Sequence, residues 1–225
     1  MTTDDNGLPE LVGRLGRLDT CAVSDAMDML QIDGVVTGLT PVTGKPKVFG
    51  RVVTVQIGIF DPSSPSKVHL GARSIVSASP GDVIVVANDG RIEMGAWGGL
   101  LSLAAKIKGI AGVVVDGAVR DADEAAALGL PLFARSTVPR TARGRVAEVS
   151  TNEPVTIAGV RIEHGDLLLA DGTGVVVLPS RRAHEIVAAA EVIVARELSM
   201  ARELHNGTSI IDVMGHRYEN MLEKK

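Results

Sequence analysis

A fixed cation and a carboxylate stand side by side at Arg120 and Asp121, shortly after an apolar run that ends at Asp116. The run 110–116 is apolar up to its last residue, as expected for a central strand covered on both faces, and Gly117 predicts a turn after it. In open α/β sheets, ligands gather beyond the carboxyl ends of strands. This turn would therefore bring the Arg–Asp pair to the edge of the sheet where an active site can form.

The same residues also fit a purely structural arrangement. Asp121 precedes Glu124 by three residues, which is the spacing of a capping box at the start of a helix. Arg120 would then be an ordinary surface cation. The residues themselves leave both interpretations open.

A second candidate site lies in the segment WGGLL, residues 97–101. Gly98 and Gly99 stand at the start of a predicted helix over 97–109, and the first N–H groups of a helix have no partner within it. Such N–H groups, at the positive end of the helix dipole, bind carboxylates. The alternative is that the glycines only allow a tight turn into the helix. A dinucleotide site is not indicated, because GAWGG does not match the GxGxxG pattern.

Predicted strands and helices must position these segments. Strands alternate with helices in the middle of the chain, and strands cluster near its end. Hydrophobic periodicity and turn residues predict one mixed α/β domain over residues 1–225. A long C-terminal helix should stop at Asn206-Gly207. The predicted helices cover 8–18, 22–30, 67–77, 97–109, 121–129 and about 180–205, and the predicted strands cover 48–59, 82–87, 110–116 and 131–135, with short hairpin strands from 146 to 178.

The composition restricts the class of protein. The net charge is −4, from 23 basic and 27 acidic residues, and there are three Phe, one Trp and one Tyr. A nucleic-acid-binding surface needs clustered Lys and Arg and stacking aromatics, so we expect no nucleic acid partner. The single Cys21 excludes an internal disulfide, as is usual in the cytoplasm, and no run of about 18 apolar residues predicts a membrane span. We therefore expect a soluble, cytoplasmic protein.

Four segments together carry a resemblance to a known family. WGGLLSLAAKIKGIAGVVVDGAVRD (97–121) resembles the central motif of the RraA-like family, which contains the regulator of ribonuclease activity A and the class II 4-hydroxy-4-methyl-2-oxoglutarate aldolases. VSDAMDML (23–30), PGDVIVVAND (80–89) and GDLLLADGTGVVVLP (165–179) resemble family segments in the same order. The resemblance covers most of the chain.

The resemblance implies a fold, an assembly and a set of site residues. The fold would be a single three-layer β/β/α domain with a long C-terminal helix. It would assemble as a homotrimer or a dimer of trimers, with active sites between subunits. Gly98, Gly99, Leu100 and Leu101, together with Arg120, would bind a small 2-oxo acid. Asp121 would hold a divalent cation, Mg²⁺ or Mn²⁺.

The function implied is that of a divalent-metal-dependent lyase that cleaves a C–C bond of a 2-oxo acid and releases pyruvate. The reaction would be that of a 4-hydroxy-4-methyl-2-oxoglutarate aldolase, of an oxaloacetate decarboxylase, or both. Arg120, which is always charged, would stabilise the enolate. The alternative is a non-catalytic regulator that binds a ribonuclease or another protein, and an enzyme with an unrelated substrate is a third possibility.

One position departs from the pattern of the resemblance. Many relatives carry an acidic residue where this chain has Gly99. Two residues are candidates to replace that acid: Glu93, and Glu197 from a neighbouring subunit. Retro-aldol cleavage must remove a proton from the 4-hydroxyl group, whereas decarboxylation needs only an electron sink. If no carboxylate replaces the missing one, decarboxylation should exceed the aldolase activity.

Overall fold

The helices and strands are taken from a computed structural model that describes residues 7–44, 47–63 and 68–215. The helices in this part of the chain are α1 (Leu8–Leu15), α2 (Thr20–Met29), α3 (Ala72–Ser77), α4 (Gly99–Lys108), α5 (Ala122–Ala127), α6 (Ala183–His205) and α7 (Ile210–Val213). The strands are β1 (Val35–Val36), β2 (Thr40–Pro41), β3 (Val48–Ile59), β4 (Val83–Ala87), β5 (Gly112–Val119), β6 (Leu132–Thr137), β7 (Val146–Thr151), β8 (Val155–Ile157), β9 (Val160–Ile162), β10 (Leu167–Ala170) and β11 (Val175–Leu178).

One curled sheet contains nine of these strands, in the order β1-β11-β10-β3-β4-β5-β6-β2, with β7 also paired to β3. Strands β3 to β6 are parallel neighbours, whereas β10, β11 and β1 are antiparallel. The long strand β3 joins the two parts, because residues 48–51 pair with β10 and residues 52–56 pair with β4. The remaining strands, β8 and β9, form a separate hairpin.

The faces of β5 show how the sequence builds the layers. Val113 and Val115 pack with α3, α4 and α5 in one core, and Val114 faces the opposite core, inside the curl, where the β8–β9 hairpin also packs. Each of these side chains is at most 1% exposed, and full burial of a valine stabilises the fold by about 1.5–3 kcal/mol. A third core joins α1, α2 and α6 to the outer face of β10 and β11. A strand covered on both faces must be apolar throughout, which is the pattern of 110–116.

The predicted fold class, a three-layer α/β domain with a long C-terminal helix, is confirmed. The two walls of the curled sheet form the β layers, and α3 to α5 form the helical layer beside the site. The long helix α6 is followed by Asn206 at its C-cap and by Gly207 at φ 89°, which confirms the predicted stop. In the described residues, no helix combines the length and the apolar character needed to cross a bilayer.

The turn predicted at Gly117 is wrong, because Gly117 lies inside β5, which runs on to Val119. A side chain at position 117 would lie 2.7 Å from the carbonyl oxygen of Arg91 and 2.8 Å from Nδ2 of Asn88. The glycine is therefore needed for close packing and not for a turn. As a result, Arg120 follows the strand directly.

Some predicted boundaries also move. Helix α4 begins at Gly99 instead of residue 97, and α3 begins at Ala72. The start predicted for α3, Lys67, lies outside the described residues. Gly71, at φ 76°, precedes α3 as its N-cap, and a Cβ there would lie 3.1 Å from the ring of Trp97.

Candidate active site

A cavity of about 640 Å³ opens beside the carboxyl end of β5. Its lining includes the two predicted segments, 98–101 and Arg120 with Asp121, and two further carboxylates, Glu124 and Glu148. Residues 68–70 and 141–144 form other parts of the wall. The structure thus brings together all six residues that the sequence singled out.

Asp121 joins the two segments directly. Its Oδ2 accepts the backbone N–H of Gly99 at 2.9 Å and lies 3.2 Å from Nε of Arg120. The capping-box interpretation is wrong, because Asp121 has a left-handed backbone (φ 56°, ψ 37°) and its side chain makes no capping hydrogen bond to α5. Asp is one of the few residues other than Gly that visit this region. With this left-handed backbone, the carboxylate of Asp121 bonds to the start of α4 and not to α5, the helix that Asp121 precedes.

Gly98, at the start of α4, leaves little room for a side chain. A Cβ at Gly98 would lie 3.0 Å from Oδ2 of Asp121 and 3.1 Å from Cγ of Arg120. The tight helix entry is therefore real, but it does not exclude anion binding. Since Asp121 takes the N–H of Gly99, the N–H groups of Leu100 and Leu101 are the two at this end of α4 that have no hydrogen-bond partner among the described residues.

Arg120 is positioned by the segment that precedes α4. Its backbone N–H donates to the carbonyl of Trp97 at 2.9 Å, and a Cβ at Gly95 would lie only 2.9 Å from its Cγ. Trp97 is anchored in turn, because its Nε1–H donates to Oγ of Ser102 at 3.1 Å and that hydroxyl bonds the carbonyl of Gly98 at 3.0 Å. Arg120 therefore lies along a glycine-lined surface with its guanidinium at the cavity.

Glu124 is the residue that sequence reasoning missed. A Cβ added at Gly99 would overlap Oε2 of Glu124 and would lie 3.1 Å from its Cδ. The carboxylate of Glu124 therefore stands where an acidic side chain at position 99 would begin. The available signal was the spacing of Asp121 and Glu124, which was interpreted as a capping box.

The two acids suggested as replacements lie elsewhere in the described protomer. Glu93 is exposed, and neither it nor Glu197 lines the cavity. Glu197 lies on α6, where partial burial and the nearby charges of Asp19 and Asp25 raise its pKa. Among the described residues, Glu124 is thus the carboxylate that lies against Gly99.

A buried carboxylate forms the opposite wall. The side chain of Glu148 is 2% exposed, and it accepts the N–H of Gly71 and the hydroxyl of Thr151, each at 2.7 Å. Arg73 lies 3.5 Å away. Glu148 therefore fixes Gly71, the residue that precedes α3, beside the cavity.

The residues present are compatible with a hydrated divalent cation. No group of three or more His, Cys, Asp or Glu side chains that could hold a metal occurs among the described residues. Mg²⁺ is usually held by one or two carboxylates and keeps several of its waters. Asp121 supplies one such carboxylate. Because a carboxylate has about four lone-pair positions, Asp121 keeps acceptor capacity beyond its bond to Gly99.

Comparisons with known proteins identify the family. The family model described as "RraA-like: Aldolase/RraA" matches residues 20–177. A crystal structure of Streptomyces coelicolor RraAS2, described as an unusual member of the RNase ES inhibitor RraA protein family, has a TM-score of 0.78 and 31% sequence identity, and the match covers 88% of this chain and 98% of that one. The chain belongs to the RraA-like family.

Two curated relatives show how varied the related proteins are. A Halalkalibacterium halodurans protein named "Putative 4-hydroxy-4-methyl-2-oxoglutarate aldolase" is 32% identical, over 80% of this chain and 82% of that protein. Protein DlpA of Legionella pneumophila is 31% identical over 82% of this chain, but the match spans only 30% of its own length.

Proposed function

We propose that the protein is a divalent-metal-dependent lyase that cleaves a C–C bond of a 2-oxo acid and releases pyruvate, as an aldolase of 4-hydroxy-4-methyl-2-oxoglutarate type, as an oxaloacetate decarboxylase, or both. The observation that carries this proposal is the convergence, in one cavity, of free helix N–H groups, a guanidinium and two carboxylates. The names of the aldolase relatives support the reaction class.

Substrate binding follows from the geometry. The N–H groups of Leu100 and Leu101 would grip the 1-carboxylate at the positive end of α4. Gly98 and Gly99 allow the ligand to approach the backbone closely, because they place no side chain over it. Arg120 would face the 2-oxo oxygen from the neighbouring strand end. Asp121 keeps both segments in register, since it is bonded to each of them.

Asp121 would hold the Mg²⁺ or Mn²⁺ ion, and Glu124 would remain available as a proton acceptor. When bound, such an ion acts as a Lewis acid on the 2-oxo group of the substrate.

In the retro-aldol reaction the C3–C4 bond breaks, and its electron pair forms the enolate of pyruvate. The charge that develops on the enolate oxygen is stabilised by Arg120, and the loss of one such preorganised charge costs about 10²–10³-fold in rate. The proton of the 4-hydroxyl group must leave as C4 becomes a carbonyl, and the carboxylate of Glu124 would receive it. Protonation at C3 then gives pyruvate. In decarboxylation CO₂ leaves instead, and no hydroxyl proton is removed.

The assembly is proposed to be a homotrimer or a dimer of trimers. Leu100, Leu103 and Ile107 lie on one side of α4 next to the cavity and are 86%, 41% and 78% exposed. An apolar row of this kind at the mouth of a site is typical of a surface that another subunit covers.

The test is a pyruvate-release assay on 4-hydroxy-4-methyl-2-oxoglutarate and oxaloacetate, before and after exhaustive chelation. Chelation should abolish release, and Mg²⁺ or Mn²⁺ should restore it. Release that survives chelation would refute the metal-dependent reaction. No release from any 2-oxo acid, together with tight binding of a ribonuclease, would favour the regulator alternative instead.

A further inference from the structure

The turn formed by residues 140–145 is attached to the segment that leads into the site. The N–H of Gly95 donates to the carbonyl of Arg140 at 2.9 Å, and Gly95 also pairs with Thr141 in a parallel bridge. Gly95 in turn contacts the side chain of Arg120. The position of this turn relative to Arg120 is therefore set by the backbone.

The turn is also held together internally. The N–H of Arg143 donates to Oγ1 of Thr141 at 3.2 Å. The guanidinium of Arg145 donates to the carbonyls of Thr141 and Arg143, at 3.2 and 3.4 Å. Gly144 has φ 71°, a left-handed conformation that reverses the chain. Arg145 thus acts as a brace that leaves the side chain of Arg143 at the cavity wall.

Arg143 differs from Arg120, the other arginine of the cavity lining, in its pairing. Arg120 is paired with Asp121, and Glu148 with Arg73. Arg143 lines the cavity, but no carboxylate among the described residues lies within ion-pair distance of it. The wall therefore presents a cation whose charge-assisted hydrogen bonds remain available to a ligand.

The cavity is also larger than a pyruvoyl group requires. Pockets of about 300–1,000 Å³ hold whole drug-sized ligands, and this one measures about 640 Å³. A three-carbon pyruvoyl group at Leu100, Leu101 and Arg120 would leave the side near Arg143 to the remainder of the substrate.

We propose that Arg143 is the specificity-determining residue of the site and binds a second carboxylate at the end of the substrate distant from the 2-oxo acid. This inference rests on the proposed function, since it assumes that the 2-oxo acid end lies at α4 and Arg120. Arg suits this role because its planar fork matches a carboxylate with two parallel hydrogen bonds. The site would thereby select diacids over monoacids of the same length.

Two inert ligands separate this proposal from catalysis. 2-Oxoglutarate and 2-oxopentanoate share a five-carbon 2-oxo acid skeleton and differ in the distal carboxylate, and neither carries the 4-hydroxyl group needed for cleavage. Calorimetric titration with Mg²⁺ present should show 2-oxoglutarate binding about 10- to 100-fold more tightly, the usual effect of a hydrogen bond to a charged group. Arg143→Gln should remove this difference by weakening only 2-oxoglutarate. Arg140→Gln is the matched control, because Arg140 is an exposed arginine of the same turn outside the cavity lining, and it should keep the difference.

Three results would each overturn the proposal. The two ligands could bind with equal affinity, neither could bind, or the preference for 2-oxoglutarate could survive Arg143→Gln. The proposed function fails separately, if no 2-oxo acid releases pyruvate. In that case a preference for the diacid that depends on Arg143 would still establish the binding role.

Discussion

Glu124 and Gly99 compete for the same space, so the role proposed for Glu124 can be tested from position 99. We predict that Gly99→Ala lowers kcat/KM for pyruvate release by about 10²-fold. The added methyl group would overlap Oε2 of Glu124 and lie 3.1 Å from its Cδ. Since non-bonded atoms settle at about 3.5 Å or more, the carboxylate oxygen must retreat by more than about 1 Å, and a misplacement of about 1 Å already costs about 10²-fold in rate.

The stability of the variant should not fall. Residue 99 is the first helical residue of α4, the overlap is with the end of a flexible side chain, and Ala favours helices over Gly by up to about 1 kcal/mol. Gly13→Ala is the control, because Gly13 lies in α1 and a Cβ there has open space around it. The control should keep full activity, and thermal unfolding should give a Tm for each variant no lower than that of the wild type.

A relocated carboxylate provides the decisive comparison. Glu124→Ala should impair retro-aldol cleavage more than decarboxylation, because only cleavage removes a hydroxyl proton. Gly99→Asp combined with Glu124→Ala returns a carboxylate to the same space from α4 and should recover at least about 10-fold of the aldolase activity. Gly99→Asp alone should lower both activities, because its carboxylate would crowd against those of Asp121 and Glu124. A double variant no more active than Glu124→Ala, or a fully active Gly99→Ala, would refute this reasoning.

Three further predictions concern metal, assembly and pH. Asp121→Asn should lose about 10²–10³-fold of its Mg²⁺-dependent activity. Its Tm should change little, because Asn tolerates the left-handed backbone and its amide oxygen can still accept the N–H of Gly99. A large fall in Tm would contradict this prediction. Light scattering at micromolar concentration should give a trimer or hexamer, and a monomer would contradict a site shared between subunits. Burial tends to raise the pKa of Asp171, but hydrogen bonds from Thr20 and Thr173 outweigh it and hold the pKa below its ordinary value. The stability that Asp171 contributes should therefore be complete above about pH 4 and should disappear as the pH falls through the pKa that Asp171 has in the folded protein. The free energies of unfolding of wild type and Asp171→Asn, measured in urea, should converge in acid. A difference that persists in acid would refute this explanation.

The elements around the site could be predicted because their residues repeat local rules. The continuous apolar run of β5 and the Asn206-Gly207 stop of α6 each depend on a few neighbouring residues, and both predictions are confirmed. The approach of residues 98–101 to Arg120 could be predicted from the family resemblance.

The details of the site could not be predicted, because they depend on contacts distant in sequence. Gly117 resembles a turn residue, but it is fixed by Asn88 and Arg91, nearly 30 residues earlier. Asp121 and Glu124 have the spacing of a capping box, and only the left-handed backbone at 121 shows that the carboxylate bonds to α4. The position of Glu124 against Gly99 likewise becomes visible only when α4 and α5 are packed.

Strand β3 changes partners along its length, and this has a consequence for biosynthesis. Its first four residues, 48–51, pair with β10, which begins 116 residues after Arg51. At about 5–20 residues per second, the ribosome needs roughly 6–23 s to make the intervening chain. During that time one edge of the newly made strand has no native partner, and unpaired edges are where chains aggregate. We therefore expect chaperones to bind a nascent chain that ends before Leu167 more tightly than the full-length chain.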